Sequence, residues 1–178
     1  MILITGIGRS GTQFTSQALQ KIGVKMFHES LGYHGTVCWK HAPFADNFRF
    51  TFQQVRNPIN CIGSLQTIHS SSMAYMARFV DIDLSKPKLE QCMDAWLNWN
   101  LLCESKANAI FQVEHIATAW KEILHKIGVD YKAMPQLPTD THTRKGKYEP
   151  VTCEILHKQN GELFNEIIKL AKKYGYDY

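Results

Sequence analysis

Directly after Met1 the chain reads Ile2-Leu-Ile-Thr-Gly-Ile-Gly-Arg-Ser-Gly-Thr-Gln13, and these residues decide the fold. Ile2 to Thr5 is a short, apolar, β-branched run, which predicts a buried strand ended by Gly6. From about Gly11 to Ile22 the apolar Phe14, Ala18, Leu19 and Ile22 share one helical face, and Gly23 stops that helix. The turn between, Gly6 to Thr12, is rich in glycine. Its backbone is therefore free to aim several N–H groups into one concavity at the helix N-terminus, an arrangement that suits an anionic phosphate. The expected ligand is a phosphorylated nucleotide.

Working outward, Val24 to Phe27 predicts a second strand, and His28 to Asp46 reads as irregular, punctuated by Gly32, Gly35 and Pro43. Phe48 to Val55 predicts another strand. Asn57-Pro58 opens a helix, with Asn as cap and Pro as first helical residue. Ser70-Ser71-Ser72 is expected to end it, Met73 to Phe79 to add a further turn, and Asp81 to Pro87 to form a loop. Lys88 to Lys106 predicts a long amphipathic helix, Ala109 to Val113 a strand and Ala117 to Ile127 a helix. Met134 to Pro150 reads as a loop, and Glu154 to Lys173 as helix broken near Asn160-Gly161. Strands alternating with helices predict one α/β domain over 1–178, three-layered α/β/α with a mostly parallel sheet. Ligands of such sheets sit at the carboxyl ends of strands. Gly6 to Thr12, Arg56 to Ser64 and Glu114-His115 all fall at such ends.

A net charge of +4 suits a small anionic ligand and is too weak and scattered to argue for nucleic acid. The five cysteines, at 38, 61, 92, 103 and 153, show no metal-ligand spacing. They are expected to be reduced thiols in a cytoplasmic protein with no metal. The first strand follows Met1 directly, so no signal peptide is expected, and no apolar stretch approaches the length of a membrane span.

The glycine turn resembles the GxxxxGK[ST] loop of nucleotide kinases and GTPases but departs from it. Thr12 and Gln13 stand where Lys and Ser or Thr belong, and the positive charge lies upstream at Arg9. Without that Lys, and without the hydroxyl that holds Mg²⁺, a kinase or other NTP-using enzyme is the weaker alternative.

Arg9-Ser10-Gly11-Thr12 at the end of a first strand resembles the 5′-phosphosulfate loop of sulfotransferases that use 3′-phosphoadenosine 5′-phosphosulfate (PAPS). The resemblance implies that Gly8, Arg9, Ser10, Gly11, Thr12 and Gln13 hold the 5′-phosphosulfate. Phe14 falls where many cytosolic members place an adenine-stacking Trp, though a core Phe on an amphipathic helix fits equally. A second segment, Arg56-Asn57-Pro58 with Ser64 eight residues after the Arg, is similar to the family's 3′-phosphate motif. Arg offers a planar fork to a phosphate dianion and Ser a directed O–H donor. A third, Arg144-Lys145-Gly146, resembles the family's late loop over the same 3′-phosphate. His28-Glu29 with Gly35 and Trp39, and Trp96, Trp99 and Asn100 with Val113-Glu114, resemble stretches of small bacterial-type members, although tryptophans at this spacing normally mark core.

The resemblance implies a P-loop-containing nucleotide-hydrolase-like fold and sulfuryl transfer from PAPS to a hydroxyl or amine, releasing adenosine 3′,5′-bisphosphate (PAP). The acceptor is expected to be a small or carbohydrate-like molecule. Arg9 would neutralise the leaving phosphate electrostatically, since an Arg does not readily give up a proton. A general base must take the acceptor's proton, and Glu29, then His28 and His41, are the candidates. Glu114 is expected to pair with a basic residue beside the nucleotide. Met73, Tyr75, Met76 and Phe79 fit an acceptor pocket and core packing equally. A non-catalytic PAPS- or PAP-binding protein is the further alternative.

Overall fold

The computed structural model describes residues 1–137, 148 and 150–178. Five strands, β1 (Ile2–Thr5), β2 (Met26–His28), β3 (Gly35–Val37), β4 (Phe50–Val55) and β5 (Ala109–Gln112), form one sheet in the order β2-β3-β1-β4-β5. Every pairing is parallel, with Ile2 beside Gly35 on one flank of β1 and Phe50 on the other. Helix α1 (Thr12–Lys21) follows β1. A 3₁₀ helix (Trp39–Asn47) links β3 to β4, and α2 (Pro58–Leu65), α3 (Ser70–Met76) and α4 (Lys88–Lys106) link β4 to β5. After β5 come α5 (Ile116–Ile127), α6 (Cys153–Gln159) and α7 (Gly161–Lys173).

Helices cover both faces of the sheet. On one, Ala18 and Leu19 of α1 and Trp120, Ile123 and Leu124 of α5 pack on Ile2, Ile4, Phe52 and Phe111. On the other, Trp39, Cys61, Ile62, Trp96, Trp99 and Ile167 bring the 3₁₀ helix, α2, α4 and α7 into a second cluster. Trp96, Trp99 and Trp120 are fully buried, so truncating any one to Ala would cost about 3–5 kcal/mol. The tryptophans at 96 and 99 are core, as their spacing suggested.

Two differences from the sequence reading have plain causes. Gly35 reads as punctuation, yet it starts a strand inside the sheet. Its φ is +138°, and a Cβ there would lie 1.8 Å from the Ile2 carbonyl oxygen, so the close approach of β3 to β1 demands glycine. Ser70 begins a helix rather than ending one. His69 caps α3 by accepting the Ser71 N–H at 3.3 Å, and the turn that separates α3 from α2 ends at Thr67-Ile68.

Among the described residues no helix is long and apolar enough to cross a membrane. All five cysteines are free, four of them buried.

Candidate functional site

The strand order sets where a ligand fits. From β1 the chain crosses toward β2 at one edge, and from β4 it crosses toward β5 at the other. Adjacent strands whose connections part in this way leave a crevice at their carboxyl ends. Residues 6–12 leave β1 on one side of that crevice, and Arg56 leaves β4 on the other.

Backbone geometry shapes the loop. Gly11 stands at the head of α1 with φ +92°, and no side-chain cap to the first amides of α1 occurs among the described residues. Arg9 adopts φ +70°, a left-handed conformation that costs a non-glycine residue about 1–2 kcal/mol. Contacts from other elements hold it there. The Arg56 Nη1 donates to the Arg9 carbonyl at 2.8 Å, and the Arg9 Nη2 donates to the Thr67 carbonyl at 3.3 Å. Gln54 Nε2 donates to the Ser10 carbonyl at 2.6 Å, while its Oε1 accepts from Thr15 Oγ at 2.5 Å. Below, the Cys61 thiol reaches the Gly8 carbonyl at 3.8 Å, and complete burial pushes that thiol up to about 12. Cys61 is thus a packing residue.

The two segments that the resemblance assigns to anionic groups therefore meet. Arg56 spends one of its five donors on the loop, and no further bond from its fork occurs among the described residues. Ser64 is buried on α2 one turn after Cys61, on the same helical face. Ser10 has no hydrogen-bond partner for its hydroxyl among the described residues. It is fully buried, with its Oγ 2.9 Å from where a Cβ on Gly6 would stand, beneath the loop. Its backbone remains part of the cradle. Gln13 is exposed on the first turn of α1, and Phe14 is half-buried against the α1–α5 core cluster.

His28 arrives from the end of β2, with its Nε2 3.2 Å from Thr12 Oγ1. Burial, with help from Lys40 and Arg9, outweighs Glu29 and holds its pKa below 6.5, so the ring is neutral at pH 7. Glu29 follows with φ +57°. Its carboxylate accepts from Trp39 Nε1 at 2.7 Å and from Lys40 Nζ at 2.8 Å. Burial would raise its pKa, but those two donors and the Lys40 charge win and lower it. His41 is not brought to this group. Its ring lies edge-on to Phe48, 5.7 Å away, just ahead of the amino end of β4.

Glu114 binds differently from the expected ion pair. It accepts the backbone N–H of Asn57 and the hydroxyl of Tyr176, each at 2.9 Å, and so ties the start of α2 to the segment after α7. Arg144, Lys145 and Gly146 lie outside the described residues. Tyr148, which follows them in sequence, packs 2.9 Å from where a Cβ on Gly63 would be, beside Ser64.

Sequence reasoning missed Gln54, Thr67 and Lys40. Gln54 alone carried a signal, because an amide inside an apolar strand needs buried partners. No group of three or more His, Cys, Asp or Glu side chains able to hold a metal occurs among the described residues. A separate cavity of about 460 Å³ opens beside the edge strand β5, lined by Ile110, His115, Glu122 and Tyr174, and shares no residue with the loop. A scan against protein-family models and searches of curated proteins and of solved structures find no match to this chain.

Proposed function

We propose that this chain is a P-loop-like sulfotransferase that takes a sulfuryl group from PAPS, passes it to a hydroxyl or amine acceptor and releases PAP. The observation that carries the reading is the bond from Arg56 to the Arg9 carbonyl. It joins a phosphate-cradling loop to a second cationic fork across one crevice. A nucleoside triphosphate concentrates its charge at one end, whereas PAPS carries two separated anionic groups and needs both. The position of Tyr148 against α2 beside Ser64 is compatible with a role for the preceding Arg144-Lys145-Gly146 at the 3′-phosphate.

Bound PAPS supplies the sulfuryl group and a phosphate as leaving group. The α1 amides and the backbone from Gly8 to Thr12 hold the 5′ end, and Arg9 balances the charge that grows on the leaving phosphate. Arg56 and Ser64 fix the 3′ end and so orient the sulfur toward the acceptor.

The residues at the end of β2 divide the proton chemistry between them. His28, neutral at pH 7 and 3.2 Å from Thr12, is suited to accept the acceptor's proton. Glu29, held ionised by Trp39 and Lys40, is a weak base. Its carboxylate lies 4.0 Å from His28 Nε2, where it stabilises the imidazolium once it forms. The base role favoured for Glu29 by sequence thus moves to His28.

Melting temperatures with PAP, ATP, ADP and 5′-AMP test the proposal. PAP is expected to give clearly the largest rise, while an equal rise with 5′-AMP would remove the case for a 3′-phosphate site.

A further inference from the structure

Beyond the donor crevice lies a row of aromatic side chains that the reaction so far leaves unused. Trp39 meets Tyr75 at 5.6 Å between ring centres, Tyr75 meets Phe79 at 5.2 Å, and Phe79 meets Phe44 at 5.8 Å. Buried Trp99 forms their floor, touching Trp39, Tyr75 and Phe79. The far end is open, since Phe44 is 45% exposed and Tyr75 and Phe79 are half-buried.

The row begins at the proton-transfer group. The Trp39 Nε1 holds Glu29, and the Tyr75 hydroxyl donates to the Lys40 carbonyl at 2.8 Å. It is also tied to the loop. The segment leading into α3 accepts from Arg9 at Thr67, and Ile68 Cδ1 lies 3.1 Å from where a Cβ on Gly8 would be. A molecule lying on Tyr75 and Phe79 would be next to Trp39, which bonds Glu29 beside His28.

Charge then selects among such molecules. Lys40, over the Trp39 ring at 5.5 Å, is neutralised by Glu29. At the other end the Arg78 guanidinium sits 5.8 Å over the Phe79 ring, exposed, and no carboxylate partner for it occurs among the described residues. The cation–π contact holds this cation at the end of the row, where it complements an anion.

We infer that Tyr75, Phe79 and Phe44 form the acceptor seat, and that the acceptor is a hydroxylated ring bearing a carboxylate, the ring on the aromatic row and the carboxylate on Arg78. This assignment rests on the sulfuryl-transfer reading for its role, but binding to the seat does not need the donor. Two sources share the chemistry, an aryl ring and a sugar ring.

Calorimetric titration without nucleotide tests it, using 3-(4-hydroxyphenyl)propanoate and glucuronate against their neutral counterparts 4-ethylphenol and methyl glucoside. At least one acid is expected to bind about tenfold or more tighter than its counterpart, and Arg78→Gln is expected to abolish that preference. The better-bound acid identifies the source. Equal affinity of acid and counterpart, no binding by either acid, or a preference that survives Arg78→Gln would overturn the seat. Phe44→Ser, at an exposed position, is expected to weaken the preferred acid without changing the charge preference. PAP titrated against the natural protein, beside the acids, keeps the two readings apart. PAP binding with no acid preference removes the seat alone, and an acid preference without PAP binding removes the donor reading alone.

Discussion

The loop of residues 6–13 and the stretch of residues 28–41 meet where His28 Nε2 lies 3.2 Å from Thr12 Oγ1, yet they are built differently. The loop is held from outside, by Gln54 and Arg56 of the β4 end and by Thr67 beyond α2. Most of what it offers a ligand is backbone. The 28–41 stretch is held from within, by Trp39 and Lys40 on Glu29, and it offers side chains that are one-third exposed at both His28 and Glu29. The difference teaches that the shape of the proposed anion cradle follows from a contiguous motif, because glycines and a helix N-terminus already define it. The proposed general base depends instead on packing, which sets its neighbours and hence its basicity.

The sharpest way to break that comparison lies in the proton-transfer group. His28→Gln is expected to lower kcat about 100-fold or more, and Glu29→Gln about tenfold or less, measured with PAPS and a working acceptor. A larger loss in Glu29→Gln would return the base role to the carboxylate. Because His28 has a lowered pKa, the base is lost as pH falls through a value under 6.5, so the acid limb of kcat/KM should centre there. The same sign governs stability. The folded state disfavours the protonated ring, so the His28 contribution is present above pH 6.5 and is lost as pH falls through the lowered pKa.

The next largest effects concern the external hold on the loop. A Cβ on Gly6 would stand 2.1 Å from the Gln54 carbonyl oxygen, so Gly6→Ala must move backbone and is expected to cost about 3 kcal/mol in denaturant unfolding. Gln54→Leu strands the Ser10 carbonyl and the Thr15 hydroxyl in the interior and is expected to cost about 2 kcal/mol. The rise in melting temperature with PAP should shrink in both variants. An undiminished rise would mean that the loop keeps its shape without β4.

The smallest effect belongs to the far support of Arg56. Tyr176→Phe removes one donor from Glu114 and is expected to cost about 1 kcal/mol of stability, while weakening PAP more than 5′-AMP. Equal weakening of both nucleotides would make Tyr176 a packing residue only.

Much of the fold was legible because its signals are local. The capped start of α2 at Asn57-Pro58, the full span of α4 and the break at Asn160 each follow from residues within a turn of the boundary. β3 was not, because Gly35 reads as a turn until Ile2 stands beside it. The candidate site divides in the same way. Arg9 and Arg56 stood out by type and spacing, but nothing near Glu29 in sequence announces that Trp39 and Lys40 converge on its two oxygens. Nor does Glu114 announce that its partners are an amide and a phenol rather than a cation.

The central claim is that Arg9 and Arg56 serve two anionic groups of one nucleotide. Its most direct test is the ratio of 5′-AMP to PAP dissociation constants, measured by calorimetry in the natural protein and in Arg56→Ala. The expected ratio is about ten or more in the natural protein, falling to about one in Arg56→Ala while 5′-AMP binding changes much less. A ratio near one in the natural protein, or one that Arg56→Ala leaves unchanged, would contradict it.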